Sequence, residues 1–147
     1  MIRSATASDV PGILHVMQAA GLGNTGYSYD DLDGPCLIDV EDGVIRGFVR
    51  YWLGRPETWI RQAAVAPMYQ KNGVTIRNLL LEVRAQALQH GSQGVEAFHV
   101  ADAPEGAAYS KRLGALLCGG TRVRWKLTGK ITLTGMPPPM DLIPADA

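Results

Sequence analysis

The change from a strand pattern to a helix pattern within residues 58–87 constrains the fold more than any other feature of the sequence. The stretch from Thr58 to Val65 is rich in β-branched and aromatic residues and predicts a strand, which Pro67 ends because proline cannot donate to a ladder. Downstream, apolar residues recur at helical spacing and predict one buried stripe, formed by Ile76, Leu79, Leu80, Val83 and Ala87. Arg84 is among the residues expected on the exposed face. A strand that runs directly into a long helix predicts the α/β class.

Other periodic segments surround this transition. A short first strand at 2–5 precedes a helix, for which Thr6 and Asp9 form a capping box and Gly21 a left-handed end. Further predicted elements are strands at 36–40, 44–53 and 95–100, a helix at 103–113, and a hairpin of 116–118 with 122–127. One more helical turn is expected near residues 29–32. The predicted order is therefore β-α-(α)-β-β-β-α-β-α-β-β.

The length and charge balance favour a single compact module. The chain has 147 residues, and its 14 Lys and Arg balance 14 Asp and Glu, so it lacks the strongly basic surface typical of nucleic-acid binders. We expect one domain at 1–127, followed by an extended Pro-rich C-terminal tail at 128–147 that contains Pro137, Pro138 and Pro139. Since Ile131 and Leu133 would otherwise expose apolar groups, the tail predicts a homodimer.

The sequence gives no sign of membrane or metal chemistry. The longest stretch without Asp, Glu, Lys or Arg, 11–29, contains proline, glycines and a histidine that a membrane span would not tolerate. The N-terminus has no apolar segment behind its arginine, which predicts no secretory signal and a cytoplasmic protein. Cys36 and Cys118 are far from each other and from any histidine at metal spacing, so we expect buried thiols and no metal site.

Two glycine patterns are candidates for phosphate binding. The segment from Gly21 to Gly26 matches G-x-G-x-x-G, but it follows a helix and leads into an irregular segment, which favours a flexible loop. The segment 65–75 lies between a strand and a helix, where unpaired backbone amides, the helix dipole and Lys71 favour an anion. Gly73 lets that anion approach closely, so a diphosphate fits; the alternative is an ordinary strand-to-helix turn.

The second pattern resembles motif A of the GNAT superfamily of N-acetyltransferases, in which V-x-P is followed by Q/R-x-x-G-x-G/A and a helix. Val65-Ala66-Pro67, Gln70 and Gly73 match, whereas Thr75 stands where the family has its second small residue. The resemblance begins at IRSATASDVPGI and extends in element order through Leu127. It implies a GNAT-like fold, with a mixed, mainly antiparallel central sheet flanked by helices.

The resemblance also implies acetyl-coenzyme A as co-substrate. Its diphosphate would lie on the loop after the strand, and its pantetheine arm along the strand backbone. The implied cofactor-binding residues are Ala63, Ala64, Val65, Gln70, Lys71, Asn72, Gly73, Val74 and Thr75. The implied activity is N-acetyltransfer by direct attack of an amine, belonging to a small molecule or a peptide, on the thioester.

Such a reaction needs an acid and a base. The family usually places a tyrosine four residues before the glycine that ends the last helix; here Ser110 has that place, and Tyr109 is the neighbouring candidate acid. Glu57, near the start of the central strand, is the candidate base, and His99 is an alternative. Each candidate has a competing interpretation. Tyr109 could be a packing residue, Glu57 an exposed charge beside a turn, and His99 a structural histidine.

The acceptor cleft and two other functions remain open at this point. Aromatic candidates to line the cleft are Tyr27, Tyr29, Tyr51, Trp52 and Trp59, and at least one of the two tryptophans is expected in the core. Thr75 and Ser110 differ from the residues that the family usually has at these two places, and this motivates a second hypothesis, a catalytically weak or inactive binding module. A third is a transferase acting on nucleic-acid bases through Arg122, Arg124 and Lys126, residues that equally suit an exposed strand edge.

Overall fold

The computed structural model describes residues 1–21, 34–71, 73–98, 116–117 and 122–126. Its strands are β1 (Ile2–Ser4), β2 (Cys36–Glu41), β3 (Val44–Trp52), β4 (Glu57–Val65), β5 (Gly94–Phe98), β6 (Leu116–Leu117) and β7 (Arg122–Lys126). Its α-helices are α1 (Val10–Ala19) and α2 (Val74–His90), and 3₁₀ turns occupy Ala7–Asp9 and Pro67–Tyr69. Within this part of the chain, neither helix has the length and apolar character needed to cross a membrane. The predicted helix at 103–113 and the tail at 128–147 lie outside the described residues.

The first of two compact units comprises Met1–Tyr51 and Gln62–Leu81. Its strands follow the order β1-β2-β3-β4, with β1 and β2 antiparallel from Ile2↔Asp39 onward. β2 and β3 are also antiparallel, and their register shifts between Asp39 and Val40. Asp39 pairs with Gly47 and the next residue, Val40, pairs with Ile45. Arg46 is therefore an extra residue in β3, and this irregularity is a β-bulge.

Helix α1 packs one apolar face on this sheet. The buried cluster consists of Ile13, Val16, Met17, Cys36, Ile38, Phe48 and Ala64. The predicted capping box is present, because the Thr6 amide donates to Asp9 Oδ2 at 2.8 Å. Gly21 has a φ of 79°, the left-handed conformation predicted for the residue that ends the helix.

The second unit comprises Trp52–Arg61 and Glu82–Ala147, so β4 and α2 each contribute to both units. Here β4 pairs in parallel with β5, and β5 and β6 both pair antiparallel with β7. Since β7 lies between β5 and β6, the interpretation of its basic residues as a protected strand edge is wrong. One parallel pair among antiparallel ones, with helices beside them, confirms the predicted mixed, mainly antiparallel α/β fold class.

Two expectations about individual side chains are wrong. Arg84 is 1% exposed, because it follows Leu80 by four residues and precedes Ala87 by three, which places it on the buried face of α2. Burial lowers the pKa of its guanidinium. Neither tryptophan is a core residue: Trp52 is 47% exposed at the end of β3, and Trp59 is half-buried. Cys36 is a buried free thiol as predicted, and burial raises its pKa to about 11.

Candidate functional site

The candidate site is the segment 65–76 of the first unit, which connects the end of β4 to the start of α2. The Ala66 amide donates to the Arg46 carbonyl at 2.8 Å, so pairing with β3 continues to the last residue before Pro67. Proline fixes φ and favours a turn, and the 3₁₀ turn of 67–69 closes when the Tyr69 amide donates to the Ala66 carbonyl at 2.8 Å. The chain therefore leaves the sheet in a short, hydrogen-bonded turn.

Gly73 redirects the chain into the helix. Its φ of 69° lies in the left-handed region that glycine adopts without steric penalty, and its amide donates to the Gln70 carbonyl at 3.2 Å. Its own carbonyl accepts from the Arg77 amide at 3.1 Å. The first four amides of an α-helix have no acceptor inside the helix, and in α2 they include the amides of Thr75 and Ile76, which are placed as donors to an anion.

Thr75 is turned away from the loop. It is 5% exposed, and its Cγ2 would be 3.1 Å from a Cβ built on Gly47. The same Cβ would lie 3.0 Å from the Ala64 carbonyl oxygen and 3.1 Å from Val65 Cγ2. The branched side chain that departs from motif A is therefore accommodated against a glycine of β3, and its methyl group does not cover the backbone of the loop.

The strand backbone before the loop presents polar groups on one side. Because the Ala66 amide bonds to β3, the alternation of backbone groups along a strand directs those of Ala64 toward β3 and those of Ala63 and Val65 away from it. In the described part of the chain, the β4 register with β5 ends at Ile60↔Ala97, before these residues. The Val65 carbonyl accepts from Gln70 Nε2 at 2.7 Å, so the Gln70 side chain braces the loop.

The charge at the loop comes from one exposed lysine and the helix terminus. Lys71 is exposed and two residues before Gly73, where its ammonium adds to the positive end of the α2 dipole. Asn72 lies outside the described residues. No group of three or more His, Cys, Asp or Glu side chains arranged to hold a metal is found among the described residues. The loop thus has the donors and the sign of charge that suit a diphosphate.

Three residues at the base of the loop were missed by the sequence analysis. The guanidinium of Arg46 lies over the Tyr69 ring at 5.7 Å from its centroid, and its NH2 donates to Asp39 at 2.9 and 3.0 Å. These hydrogen bonds raise the pKa of Arg46 further, so it is a permanent cation. An aspartate within a buried strand, as Asp39 is, was the available signal, because such a carboxylate needs a partner.

The candidate catalytic residues belong to the second unit. Glu57 is half-buried as the first residue of β4, where it pairs in register with Gly94. Tyr109, Ser110 and His99 lie outside the described residues, as do Tyr27 and Tyr29. Tyr51 is 2% exposed and therefore a packing residue in this structure. The structure brings together the described residues of the 65–76 segment, and the cofactor-binding, acid and base assignments stay predictions.

The sequence matches a known family. A sequence model described as "Acetyltransferase (GNAT) family" matches residues 17–115, a range that includes the loop and both described helices in whole or in part. No curated protein matches the chain significantly.

Solved structures share the fold. The N-acetyltransferase PaiA of Thermoplasma acidophilum, determined with coenzyme A, is similar with a TM-score of 0.71 at 16% identity, over 86% of this chain and 98% of that one. A ribosomal-protein-alanine N-acetyltransferase of Brucella melitensis has a TM-score of 0.69 and 20% sequence identity, over 86% of this chain and 99% of that one. A phosphinothricin acetyltransferase of Sinorhizobium meliloti, determined with acetyl-coenzyme A, has a TM-score of 0.67 and 16% sequence identity, over 94% of this chain and 95% of that one. At these identities the likeness establishes the fold alone.

Proposed function

Because the chain belongs to the acetyltransferase (GNAT) family, we propose that it transfers the acetyl group of acetyl-coenzyme A to an amine of a small molecule or peptide by direct attack. The observation that carries this proposal is the left-handed turn at Gly73, which ends the loop and directs the N-terminus of α2 toward it. Neighbours of the same fold were determined with coenzyme A or acetyl-coenzyme A, which supports the choice of co-substrate.

The loop fits the charged part of this co-substrate. The amides of Thr75 and Ile76 and the α2 dipole would receive the diphosphate, with Lys71 adding a screened positive charge. Thr75 does not oppose this arrangement, since its methyl is packed on Gly47. The outward backbone groups of Ala63 and the amide of Val65, whose carbonyl already accepts from Gln70 Nε2, would hold the amide-containing pantetheine arm by main-chain hydrogen bonds.

The reaction requires two proton transfers that the protein's side chains would carry out. Acetyl-coenzyme A supplies an activated acyl thioester when bound. Glu57 is proposed to take a proton from the acceptor amine, and Tyr109 to give a proton to the departing sulfur, so that the amine gains the acetyl group and the thiol leaves neutral. Holding amine and thioester in contact accounts for much of the rate, because it turns a bimolecular step into an intramolecular one.

The other two functions have less support. The inactive-module hypothesis depends on Thr75 and Ser110; the first is accommodated at Gly47, and the second lies outside the described residues. The nucleic-acid hypothesis depends on Arg122, Arg124 and Lys126, which alternate along a strand paired on both sides. Neither hypothesis gains an observation of its own. The homodimer through the tail stays a prediction, which a monomeric mass by light scattering would contradict.

Binding and turnover test the proposal separately. Acetyl-coenzyme A at a hundred times its dissociation constant should stabilise the protein by about 2.7 kcal/mol in a thermal-shift assay. Release of free thiol with a panel of amines then measures turnover. We expect Glu57→Gln to lose at least tenfold in kcat and Glu82→Gln, an exposed carboxylate on α2, to retain full activity. Absence of any thermal shift at millimolar acetyl-coenzyme A would refute the proposed function.

A further inference from the structure

Arg46 holds the turn at the base of the loop at both of its ends. It is the extra residue of the β3 bulge, and bulges re-aim side chains near functional sites. Its carbonyl accepts from the Ala66 amide at 2.8 Å, just before the turn. Its guanidinium carbon lies 5.7 Å from the centroid of the Tyr69 ring, at the last residue of the turn. One residue of β3 thus contacts both the entrance and the exit of the 67–69 turn.

A buried carboxylate fixes the direction of this guanidinium. The Asp39 side chain is 3% exposed, and both of its oxygens accept from Arg46 NH2, at 3.0 and 2.9 Å. Glu41 lies further away, at 3.6 Å from the same nitrogen. Arg46 Nε is buried without a hydrogen-bond partner among the described residues. In this position the Arg46 guanidinium leaves one of its own N–H donors without a hydrogen bond to the described part of the chain, while its planar face stays over the Tyr69 ring.

We propose that Arg46, oriented by Asp39, is a positioning residue for the acetyl-coenzyme A loop and acts on it through Tyr69. Tyr69 is followed directly by Gln70, whose side chain donates to the Val65 carbonyl and whose carbonyl accepts from the Gly73 amide. A displacement of Tyr69 therefore reaches Gly73 through one hydrogen bond, from the Gly73 amide to the Gln70 carbonyl, and reaches Val65 through another, from the Gln70 side chain. The inference rests on the proposed function for the identity of the ligand, and on the contacts alone for the order of the loop.

A double-mutant cycle measures this coupling. Arg46→Met keeps an apolar stem of similar length, and Tyr69→Leu removes the aromatic face; coenzyme A is titrated into each variant and into the double variant by calorimetry. Each single substitution should weaken coenzyme A binding about two- to fivefold, the range typical of an exposed cation–π contact. The double variant should bind no more weakly than the weaker single one. Tyr69→Phe, which keeps the ring, should bind within about twofold of the wild type.

Arg3→Met is the matched control for loss of an arginine–carboxylate pair. Arg3 donates through two nitrogens to Asp9 at 2.8 and 2.9 Å in the same unit, without contact to Tyr69. This variant should lower the melting temperature and leave the dissociation constant of coenzyme A unchanged. Tyr69→Leu serves as the test where Arg46→Met, which deprives buried Asp39 of its main partner, fails to fold.

Hydrogen exchange in the ligand-free protein separates this inference from the proposed function. The amides of Gly73 and its neighbours should exchange faster in Arg46→Met and Tyr69→Leu than in Arg3→Met. If the wild type binds no coenzyme A but this acceleration is seen, the function is refuted and the positioning role of Arg46 is supported. Unchanged exchange in both loop variants, or single effects on binding that simply add in the double variant, would overturn the inference.

Discussion

Replacing Gly47 by alanine tests the close packing that accommodates Thr75. The new Cβ would lie 3.0 Å from the Ala64 carbonyl oxygen and 3.1 Å from Cγ2 of both Thr75 and Val65, whereas ordinary contacts are at about 3.5–4.0 Å. Overpacking of this kind costs about 1–3 kcal/mol. Reduced freedom of the unfolded chain offsets about 0.4–1 kcal/mol of it. The two ranges leave a net loss of about 0–2.6 kcal/mol, and because three contacts are short at once we expect about 1–2 kcal/mol, or roughly 2–8 °C in melting temperature.

A second substitution, Thr75→Ser, makes this prediction specific, because it should change the free energy of unfolding in opposite directions in the wild type and in Gly47→Ala. In the wild type, Thr75→Ser removes a buried methyl group and should cost about 0.8 kcal/mol. In Gly47→Ala the same change relieves one of the three short contacts and should restore stability. Urea denaturation of the four proteins gives the free energies of unfolding. Gly47→Ala with wild-type stability, or a Thr75→Ser effect that is equal in the two backgrounds, would refute the packing argument.

Three further outcomes follow from individual contacts. Gly73→Ala should lose about 1–2 kcal/mol by urea denaturation, because alanine is strained at a φ of 69°, and its affinity for coenzyme A should fall; equal stability would contradict the turn geometry. Thr58→Val should cost about 0.5–1.5 kcal/mol, since it removes the buried 2.7 Å hydrogen bond between Thr58 Oγ1 and the Ser92 hydroxyl, which keeps its bond to the Gly54 carbonyl, and Thr58→Ser should restore most of it. Hydrogen bonding to Arg3 lowers the pKa of Asp9 to about 2; its stabilisation is therefore full above about pH 4 and lost as the pH falls through about 2. Asp9→Asn should have a flatter acid denaturation profile, and a slope equal to that of the wild type would refute the pairing.

Features with a local cause were predictable from the sequence. The change of period across Pro67, the capping box of Thr6 and Asp9, and the left-handed Gly21 each depend on residues a few positions apart. The strand-to-helix loop was recognised for the same reason, because its proline, glycine and following apolar stripe are contiguous. Fold class followed from the order of these local elements.

Features that depend on distant partners were not predictable. The burial of Arg84 depends on how wide a face α2 packs, and the side chain of Gln70 is turned back onto Val65 by the shape of the folded loop. The contact of Arg46 with Tyr69 joins the bulged residue of β3 to the turn after β4, two positions that are distant in sequence. Gly47 did carry a signal, since an isolated glycine within a strand pattern indicates a bulge or a close backbone approach.

The most direct test of the account is whether the amides at the start of α2 bind a diphosphate. Isotope-labelled protein would be titrated with coenzyme A and, in parallel, with pantetheine, which lacks the diphosphate, while the backbone amide resonances are followed by NMR. The account predicts that Gly73 to Ile76 shift strongly with coenzyme A and little with pantetheine. Equal shifts with both ligands, or coenzyme A binding that leaves these amides unperturbed, would contradict it.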